Sequence, residues 1–141
     1  MTHHDLDIFA RTLYGEARGE YTSYGLAAFI AVGNVITNRL KLGRYGNTIA
    51  VVCLKPRQFS CWNVNDPNRV LIQDISINQE PLFKCCKKVA QSLAMGKWPD
   101  LTRGSDHYHS LSCSPSWARK SKIKLRLGNH IFYKLHERGK I

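Results

Sequence analysis

The stretch TLYGEARGE, residues 12–20, holds two carboxylates four positions apart, Glu16 and Glu20, directly after an apolar run. The residues around it repeat with the period of a helix, and the apolar positions are Leu6, Phe9, Ala10, Leu13, Tyr14 and Ala17. We predict a first helix with Asp5 as its N-cap and an end at Gly19. At about 100° per residue, Glu16 then falls on the border of the apolar stripe, so we expect it to be half-buried.

The two acids differ in their expected chemistry. A carboxyl delivers a proton to a leaving oxygen near neutral pH only when partial desolvation keeps it protonated. Glu16 has such surroundings beside Phe9 and Tyr14, whereas Glu20, on a glycine-containing turn near Arg18, is expected to stay ionised. Two ordinary surface glutamates are the alternative, which spacing alone leaves open, although the helix dipole disfavours a Glu at a helix C-terminus.

Composition and charge limit the class of protein. The chain has 141 residues, 43% of them hydrophobic, and we interpret residues 1–141 as one domain with a core of its own. No apolar run is long enough to cross a membrane. The net charge is +11, and residues 84–141 carry 13 Lys and Arg against three acids. This basic segment attracts polyanions, and charge alone leaves nucleic acid, acidic lipid headgroups and anionic wall polymers open.

The cysteines and the N-terminus bear on the compartment. The chain has five cysteines, an odd number: Cys53, Cys61, Cys85, Cys86 and Cys113. The first residues show no basic segment followed by an apolar one, so no secretory signal is visible. We therefore expect synthesis in a reducing cytosol with free thiols.

Histidines cluster in GSDHYHS, residues 104–110. On a strand, His107 and His109 point to one face and Tyr108 to the other. The two imidazoles with Cys113 are candidate metal ligands, but their spacing matches no zinc pattern, so a metal-free site wall is the favoured interpretation. His130, taken alone, is more typical of a packed or capped histidine than of a proton carrier.

The remaining pattern predicts more helices. A second helix is expected over residues 24–42, with Gly43 just after its end. TIAVVCL is a short apolar run capped by Thr48, and PRQFSCWN is predicted to be a strand or extended loop followed by a turn. A further helix is expected after an Asn78 cap, with Pro81 in its first turn and Gly96 at its end.

The C-terminal part changes to a strand pattern. In KIKLRLGNHIFYKL, residues 122–135, apolar and basic residues alternate and then turn at Gly128 and Asn129, which predicts a β-hairpin. The fold class is therefore α+β, a mainly helical domain with a small C-terminal β-hairpin region.

Four parts of the chain belong together when they are read in order. They are ARTLYGEARGE, AVGNVITNRL, RQFSCWN, and HYH followed by PSWA and LGNHIFY. With compatible gaps over about residues 8–133, they resemble the spore-cortex-lytic (SleB-like) cell-wall hydrolase family. The resemblance implies a lysozyme-like, mostly helical fold. It also implies a peptidoglycan-cleaving domain similar to lytic transglycosylases, which cut between N-acetylmuramic acid and N-acetylglucosamine.

The resemblance also implies roles for particular residues. The catalytic glutamate of the family corresponds to Glu16. The positions implied for substrate binding, as cleft wall or fold support, are Glu20, Gln58, Phe59, Ser60, Tyr108, His109, Trp117 and His130. Asp106 departs from the family pattern, because a small uncharged residue is more usual before HYH.

The expected activity is that of an endolysin-like lytic transglycosylase. Glu16 would act first as acid and then as base, leaving an anhydromuramic end without a metal or cofactor. A muramidase-type hydrolase would instead need a second carboxylate, for which Glu20 or Asp106 are the candidates. Two functions of different classes stay open on the residues alone. One is a basic nucleic-acid-binding protein without activity, and the second is a metal-dependent hydrolase with His107 and His109 as ligands.

The expected partners follow from the same resemblance. Many relatives carry a signal peptide and a separate wall-binding domain, and neither is visible in this sequence. This favours a phage or prophage lysis enzyme, made in the bacterial cytoplasm and acting on the wall after release. We expect peptidoglycan as substrate, attraction of the basic segment to an anionic cell-wall or outer-membrane surface, no nucleic-acid partner, and a monomer.

Overall fold

Helices form most of the protein, and one small sheet closes it at the C-terminal side. The computed structural model describes residues 1–76 and 80–136. Its helices are α1 (His3–Ala17), α2 (Tyr21–Tyr24), α3 (Leu26–Leu42), α4 (Ile49–Leu54), α5 (Pro67–Asp74) and α6 (Pro81–Ala94). Its strands are β1 (His107–Ser110), β2 (Ile123–Leu127) and β3 (His130–Tyr133). The predicted α+β class is confirmed, while the assignment of residues 1–141 to one domain stays a prediction.

Helix α1 lies against α3, α4, α5 and α6 and carries the central part of the core. Its N-cap is Thr2, so the prediction of Asp5 as cap was wrong. Asp5 occupies the third helical position, where its Oδ2 accepts from the Thr2 backbone while the Thr2 hydroxyl oxygen accepts from the Asp5 backbone. The other Asp5 oxygen accepts from the backbone of Ala50, which fixes α4 against α1.

Helix α3 divides its apolar side chains between two layers. Phe29, Val32 and Ile36 join the main helical core, whereas Ala31 and Val35 pack on Phe132 of the sheet. The helix begins two residues later than predicted because Gly25 adopts a φ of +60° that breaks it from α2. Its end at the left-handed Gly43 is as predicted.

Three other segments depart from the sequence-based expectation. The PRQFSCWN segment is neither strand nor extended loop but a set of turns ending in a 3₁₀ turn over Ser60–Trp62. Helix α5 was missed because its start at Asp66 and Pro67 was interpreted as a turn, and its apolar residues, 70–72, are consecutive instead of spaced at helical intervals. The N-cap of α6 is Glu80, and the predicted cap Asn78 lies outside the described residues.

The sheet has the order β1–β3–β2, with both pairs antiparallel. The predicted hairpin is β2–β3, and its turn contains Gly128 at a φ of +57°. Tyr108 lies opposite Phe132 in the register of β1 and β3. That face packs on α3, while the flanking His107 and His109 point to the other face, as the strand periodicity predicts.

No helix among residues 1–76 and 80–136 is both long enough and apolar enough to span a bilayer. All five cysteines are free thiols, and burial raises the pKa of the Cys53 thiol to about 12, so that thiol is unreactive at neutral pH.

Candidate active site

The last turn of α1 presents Glu16 to two segments that are distant in sequence. The hydroxyl of Tyr108, on β1, donates a hydrogen bond to Oε1 of Glu16. The backbone N–H of Cys61 donates to Oε2 over 3.0 Å, and the Ser60 hydroxyl lies 3.5 Å from the same oxygen. Both oxygens of one half-buried carboxyl are therefore held by donors that belong to the fold.

The segment with Cys61 reaches Glu16 because it lies very close to α1. The indole N–H of Trp62 donates to the Thr12 hydroxyl over 2.9 Å, which anchors the 3₁₀ turn on the helix. A Cβ on Gly15 would lie 2.8 Å from Cβ of Cys61, closer than side-chain carbons normally approach. Glycine at position 15 is thus required for the contact between Cys61 and Glu16.

Tyr108 is fixed by aromatic neighbours on both sides. Its ring centroid is 4.9 Å from that of His130, 5.4 Å from that of Phe132 and 6.4 Å from that of Phe59. Burial, reinforced by the nearby Glu16, raises the pKa of Tyr108 well above its ordinary value. The hydroxyl therefore keeps its proton and remains a donor to Glu16.

Glu16 opens into a cleft of about 310 Å³, which it shares with Glu20. The other lining residues are Gly15, Arg18, Gly19, Asn68, Asn129 and His130. Glu20 accepts from the Asn129 backbone N–H over 3.0 Å, which links the helical body to the turn between β2 and β3. Burial lowers the pKa of His130, against the opposing effect of Glu16 and Glu20, so this wall of the cleft is uncharged at neutral pH.

A guanidinium group also lines this cleft. Arg18 donates from Nη2 to Oδ1 of Asn68 and lies 5.1 Å from the centroid of the Tyr14 ring. No carboxylate of the described residues forms an ion pair with it. The cleft therefore contains two acids and one cation that is available to an anionic group of a ligand.

Cavity volume does not by itself identify this site. Depressions of about 600 Å³, beside α4, and about 580 Å³, beside α5, are larger. Their linings include Asp5 and Glu80, whose oxygens serve the ends of α1 and α6. The smaller cleft differs from them in two ways: two carboxylates line it, and the donors to Glu16 come from the sheet and the 3₁₀ turn instead of from helix ends.

The predicted site residues do not all meet at this cleft. Glu16, Glu20 and His130 line it, and Ser60 and Tyr108 contact Glu16 directly. Gln58 and Phe59 lie behind it, where Gln58 accepts from Arg39 and the Phe59 ring is buried beside Tyr108.

His109 and Trp117 lie on the opposite face of the sheet from Tyr108. His109 stacks on Tyr133 at 5.3 Å and hydrogen-bonds to its hydroxyl, while Trp117 meets the same ring edge-on. The structure does not bring this pair to Glu16. Their role in substrate binding stays a prediction.

Several cleft residues were not predicted. Arg18 lies between Glu16 and Glu20 in the sequence, and this position could have predicted that it lines the same cleft. Asn129 follows the turn glycine, whereas Asn68 carried no signal because α5 itself was not recognised. The contribution of Cys61 is a backbone N–H, which no side-chain pattern reveals.

Asp106 is excluded as a water-activating carboxylate by its surroundings. It is fully buried and accepts hydrogen bonds from the His107 ring and from the backbone of Leu135 and His136, each at 2.9 Å. Burial alone would raise the pKa of Asp106, but these hydrogen bonds outweigh it and lower the pKa. This acid braces the chain after β3 and does not face the cleft.

The described residues contain no group of three or more His, Cys, Asp or Glu side chains able to hold a metal ion. His107 contacts Asp106, Tyr45 and Trp117. Cys113 instead lies near the Ser110 hydroxyl, at 3.6 Å. The alternative of a metal site built on His107, His109 and Cys113 therefore has no support in this part of the chain.

Comparison with known proteins identifies the family. The family model described as Cell Wall Hydrolase matches residues 25–133, and the chain belongs to that family. The resemblance inferred from the sequence motifs is thus confirmed. The matched stretch contains Cys61, Tyr108 and His130 but begins after Glu16, so the catalytic role of Glu16 stays a prediction.

Individual relatives agree with the family assignment. The chain is 28% identical over 134 residues to a spore cortex-lytic enzyme of Oceanobacillus iheyensis, covering 94% of this chain and 42% of the relative. For a spore cortex-lytic enzyme of Bacillus cereus the identity is 26%, covering 94% of this chain and 45% of the relative. The chain thus spans less than half the length of these relatives.

Solved structures show the same fold. The catalytic domain of the germination-specific lytic transglycosylase SleB from Bacillus anthracis superposes with a TM-score of 0.70 at 24% identity, covering 95% of this chain and 97% of that one. The catalytic domain of the Bacillus cereus SleB protein gives a TM-score of 0.73 at 24% identity, covering 94% and 91%. Both include the region of Glu16, because nearly the whole chain is covered.

Proposed function

We propose that this protein cleaves peptidoglycan between N-acetylmuramic acid and N-acetylglucosamine, as a lytic transglycosylase with Glu16 as its catalytic acid and base. The observation that carries the proposal is the carboxyl of Glu16 at a cleft, with the Tyr108 hydroxyl donating to one oxygen and the Cys61 N–H to the other. Membership of the cell-wall hydrolase family and a fold shared with the catalytic domain of a lytic transglycosylase support it.

The first step is proton transfer to the leaving oxygen. Protonated Glu16 gives its proton to the glycosidic oxygen while the bond from that oxygen to C1 of the muramic acid breaks. C1 takes on oxocarbenium character, and the N-acetylglucosamine leaves with a free hydroxyl. Tyr108 and the Cys61 N–H hold the carboxyl in position and stabilise the carboxylate that forms.

The second step returns the proton to Glu16. Its carboxylate removes the proton from the C6 hydroxyl of the same muramic acid, and O6 bonds to C1 to close a 1,6-anhydro ring. No water is consumed, so the reaction is an internal transfer that needs only one carboxyl. Glu16 alone meets that requirement, without a role for Glu20 in the chemistry.

A hydrolase that uses water is the alternative, and Glu20 is its candidate second carboxylate. Retaining and inverting glycosidases hold their two carboxyls about 5–5.5 Å or 6.5–9.5 Å apart, with the second one free to act as nucleophile or base. Glu20 lines the same cleft, but one of its oxygens accepts from the Asn129 backbone. This engagement favours a supporting role, which agrees with the interpretation from sequence.

The test is mass analysis of muropeptides released from purified peptidoglycan. The wild-type protein is expected to release products with anhydromuramic ends, and Glu16→Gln to release none while keeping its fold. Glu20→Gln is the matched control, since it changes an acid of the same cleft and is expected to keep the anhydro product. Reducing ends in place of anhydro ends would establish the hydrolase, and no release by the wild-type protein would reject both.

We also propose that the basic segment holds the enzyme on the anionic wall or outer-membrane surface. Within it lies a cationic run, residues 119–126, which contains no acid. Of its cations, Arg119, Lys120, Lys122 and Arg126 are exposed. Such a surface raises the local concentration of enzyme on a polyanionic substrate, as a monomer and without a specific nucleic-acid partner.

A further inference from the structure

Arg39 is a buried cation that lies behind the cleft. It is 4% exposed, and its guanidinium carbon lies 4.5 Å from the ring centroid of Tyr45 and 5.1 Å from that of Phe59. Burial lowers its pKa, but a guanidinium begins so high that it stays charged at neutral pH. Among the described residues it forms no ion pair with a carboxylate.

Its hydrogen bonds go to two segments that are distant in sequence. Nε donates to the backbone oxygen of Asp106 over 2.7 Å, and Nη1 donates to Oε1 of Gln58 over 3.1 Å. Asp106 comes two residues before Tyr108, which holds one oxygen of Glu16. Gln58 comes three residues before Cys61, whose N–H holds the other.

Burial of the Arg39 guanidinium carries a desolvation cost that no ion pair among the described residues offsets. A charge removed from water and satisfied by neutral acceptors contributes little to stability compared with an apolar side chain of similar size. A rigid planar fork is nevertheless well suited to fixing two acceptors relative to each other, because its donors have a set geometry. Phe59, between the guanidinium and the Tyr108 ring, transmits the spacing by direct packing.

We propose that Arg39 is a positioning residue that sets the distance between the two segments holding Glu16. It touches neither the acid nor the cleft, and it acts through Tyr108 on one side and Cys61 on the other. This inference rests on the proposed function, since its effect is measured on the reaction that Glu16 performs. A small displacement of a catalytic group is enough to reduce turnover strongly.

The first experiment compares two arginines that both bind backbone oxygens. Arg39→Met is expected to lower kcat for anhydro-product release by roughly 10- to 100-fold, with KM within about twofold. Arg11→Met is the control, because Arg11 donates to the backbone oxygens of Ile72 and Ile75 and thus stabilises the end of α5 without contact to Glu16. It is expected to lower Tm while leaving kcat of the folded protein unchanged.

A double-mutant comparison separates positioning from simple loss of stability. If Arg39 acts through Tyr108, Arg39→Met lowers kcat much less in a Tyr108→Phe background than in the wild type. The proposal would be overturned if Arg39→Met lowered kcat by the same factor in the Tyr108→Phe background as in the wild type. It would also be overturned if the kcat loss of Arg39→Met were no larger than the fraction of protein that is unfolded. Should Arg39→Met fail to fold, Gln58→Met replaces it in the first experiment, because it removes the arm that leads to Cys61 at a less buried position. Gln58→Met is then expected to lower kcat with KM within about twofold, and an unchanged kcat would overturn the proposal.

The two proposals fail in different ways. If the wild-type protein releases no product, the proposed function is wrong whatever Arg39 does. If the wild type is active and Glu16→Gln is not, but Arg39→Met behaves like Arg11→Met, only the positioning role is wrong.

Discussion

The hydroxyl of Tyr108 donates to the carboxyl of Glu16 across 92 positions of sequence, and this contact joins the sheet to the last turn of α1. It gives the sheet a role beyond covering α3. Because β3 pairs with β1 and carries Phe132 beneath the Tyr108 ring, the geometry of the small sheet fixes the catalytic candidate.

Removing the Tyr108 hydroxyl tests that relationship. Tyr108→Phe keeps the ring packing but loses a hydrogen bond to a group that becomes charged in the reaction, a loss of about 1.5–3 kcal/mol. We expect kcat to fall roughly 10- to 150-fold, measured as anhydro-product release. Tyr133→Phe is the matched control, because its hydroxyl contacts His109 on the opposite face and its removal should leave kcat within about twofold.

Gly15 is predicted to be intolerant of a single methyl group. In Gly15→Ala the new Cβ meets Cβ and Sγ of Cys61 at 2.8 and 2.9 Å, so the Ser60–Trp62 turn must move away from Glu16. We expect a stability loss of about 1–3 kcal/mol in thermal melts and a larger fractional loss of kcat. Gly19→Ala is the control, because Gly19 lines the same cleft and a Cβ there would have no atom within 4 Å. Equal losses of stability and kcat in the two variants would contradict this explanation.

Acidification should destabilise the fold through His130. Burial lowers the pKa of His130 below its unfolded value near 6.5, so the unfolded chain takes up a proton at a higher pH than the native protein does. The stability is full above about pH 6.5 and is lost as the pH falls through the folded pKa. Glu16, Glu20 and His109 are the titratable groups that act on it.

The measurement is the change in Tm between pH 7 and pH 5.5. His130→Gln should reduce that change, because the substituted side chain does not titrate. His4→Gln, at an exposed position near the start of α1, should leave it unaltered. If the change in Tm were the same in the wild type, His130→Gln and His4→Gln, burial of His130 would not govern stability between pH 7 and pH 5.5.

Reversing charge in the cationic run should weaken adsorption to the wall. Lys122→Glu with Arg126→Glu changes the net charge by four units at exposed positions on and beside β2. We expect less protein in the pellet with insoluble peptidoglycan that carries anionic polymer, and a weaker dependence on salt. Lys41→Glu with Lys55→Glu makes the same net change at exposed positions outside the basic segment, and a loss of equal size there would indicate diffuse attraction instead of a defined surface.

Helical periodicity was sufficient to predict α1, α3 and α6, although the N-cap predicted for α1 was wrong. The end of α3 at Gly43, the Thr48 cap of α4 and the turn at Gly128 were all predicted, because glycine in the left-handed region and a hydroxyl cap are local properties. Helix α5 was missed although Asp66 and Pro67 are local start signals for it, because its apolar residues, 70–72, are consecutive and show no helical period.

Helical phase depends only on residue spacing, so the position of Glu16 at the border of an apolar helix stripe can be read from the amino-acid order, within motifs shared with a cell-wall hydrolase family. The surroundings of that carboxyl depend on tertiary packing. The Cys61 N–H, the Tyr108 hydroxyl and the brace at Arg39 come from segments that no local rule relates to one another. Their meeting depends on how α3, the 3₁₀ turn and the sheet pack, and packing is a property of the whole chain.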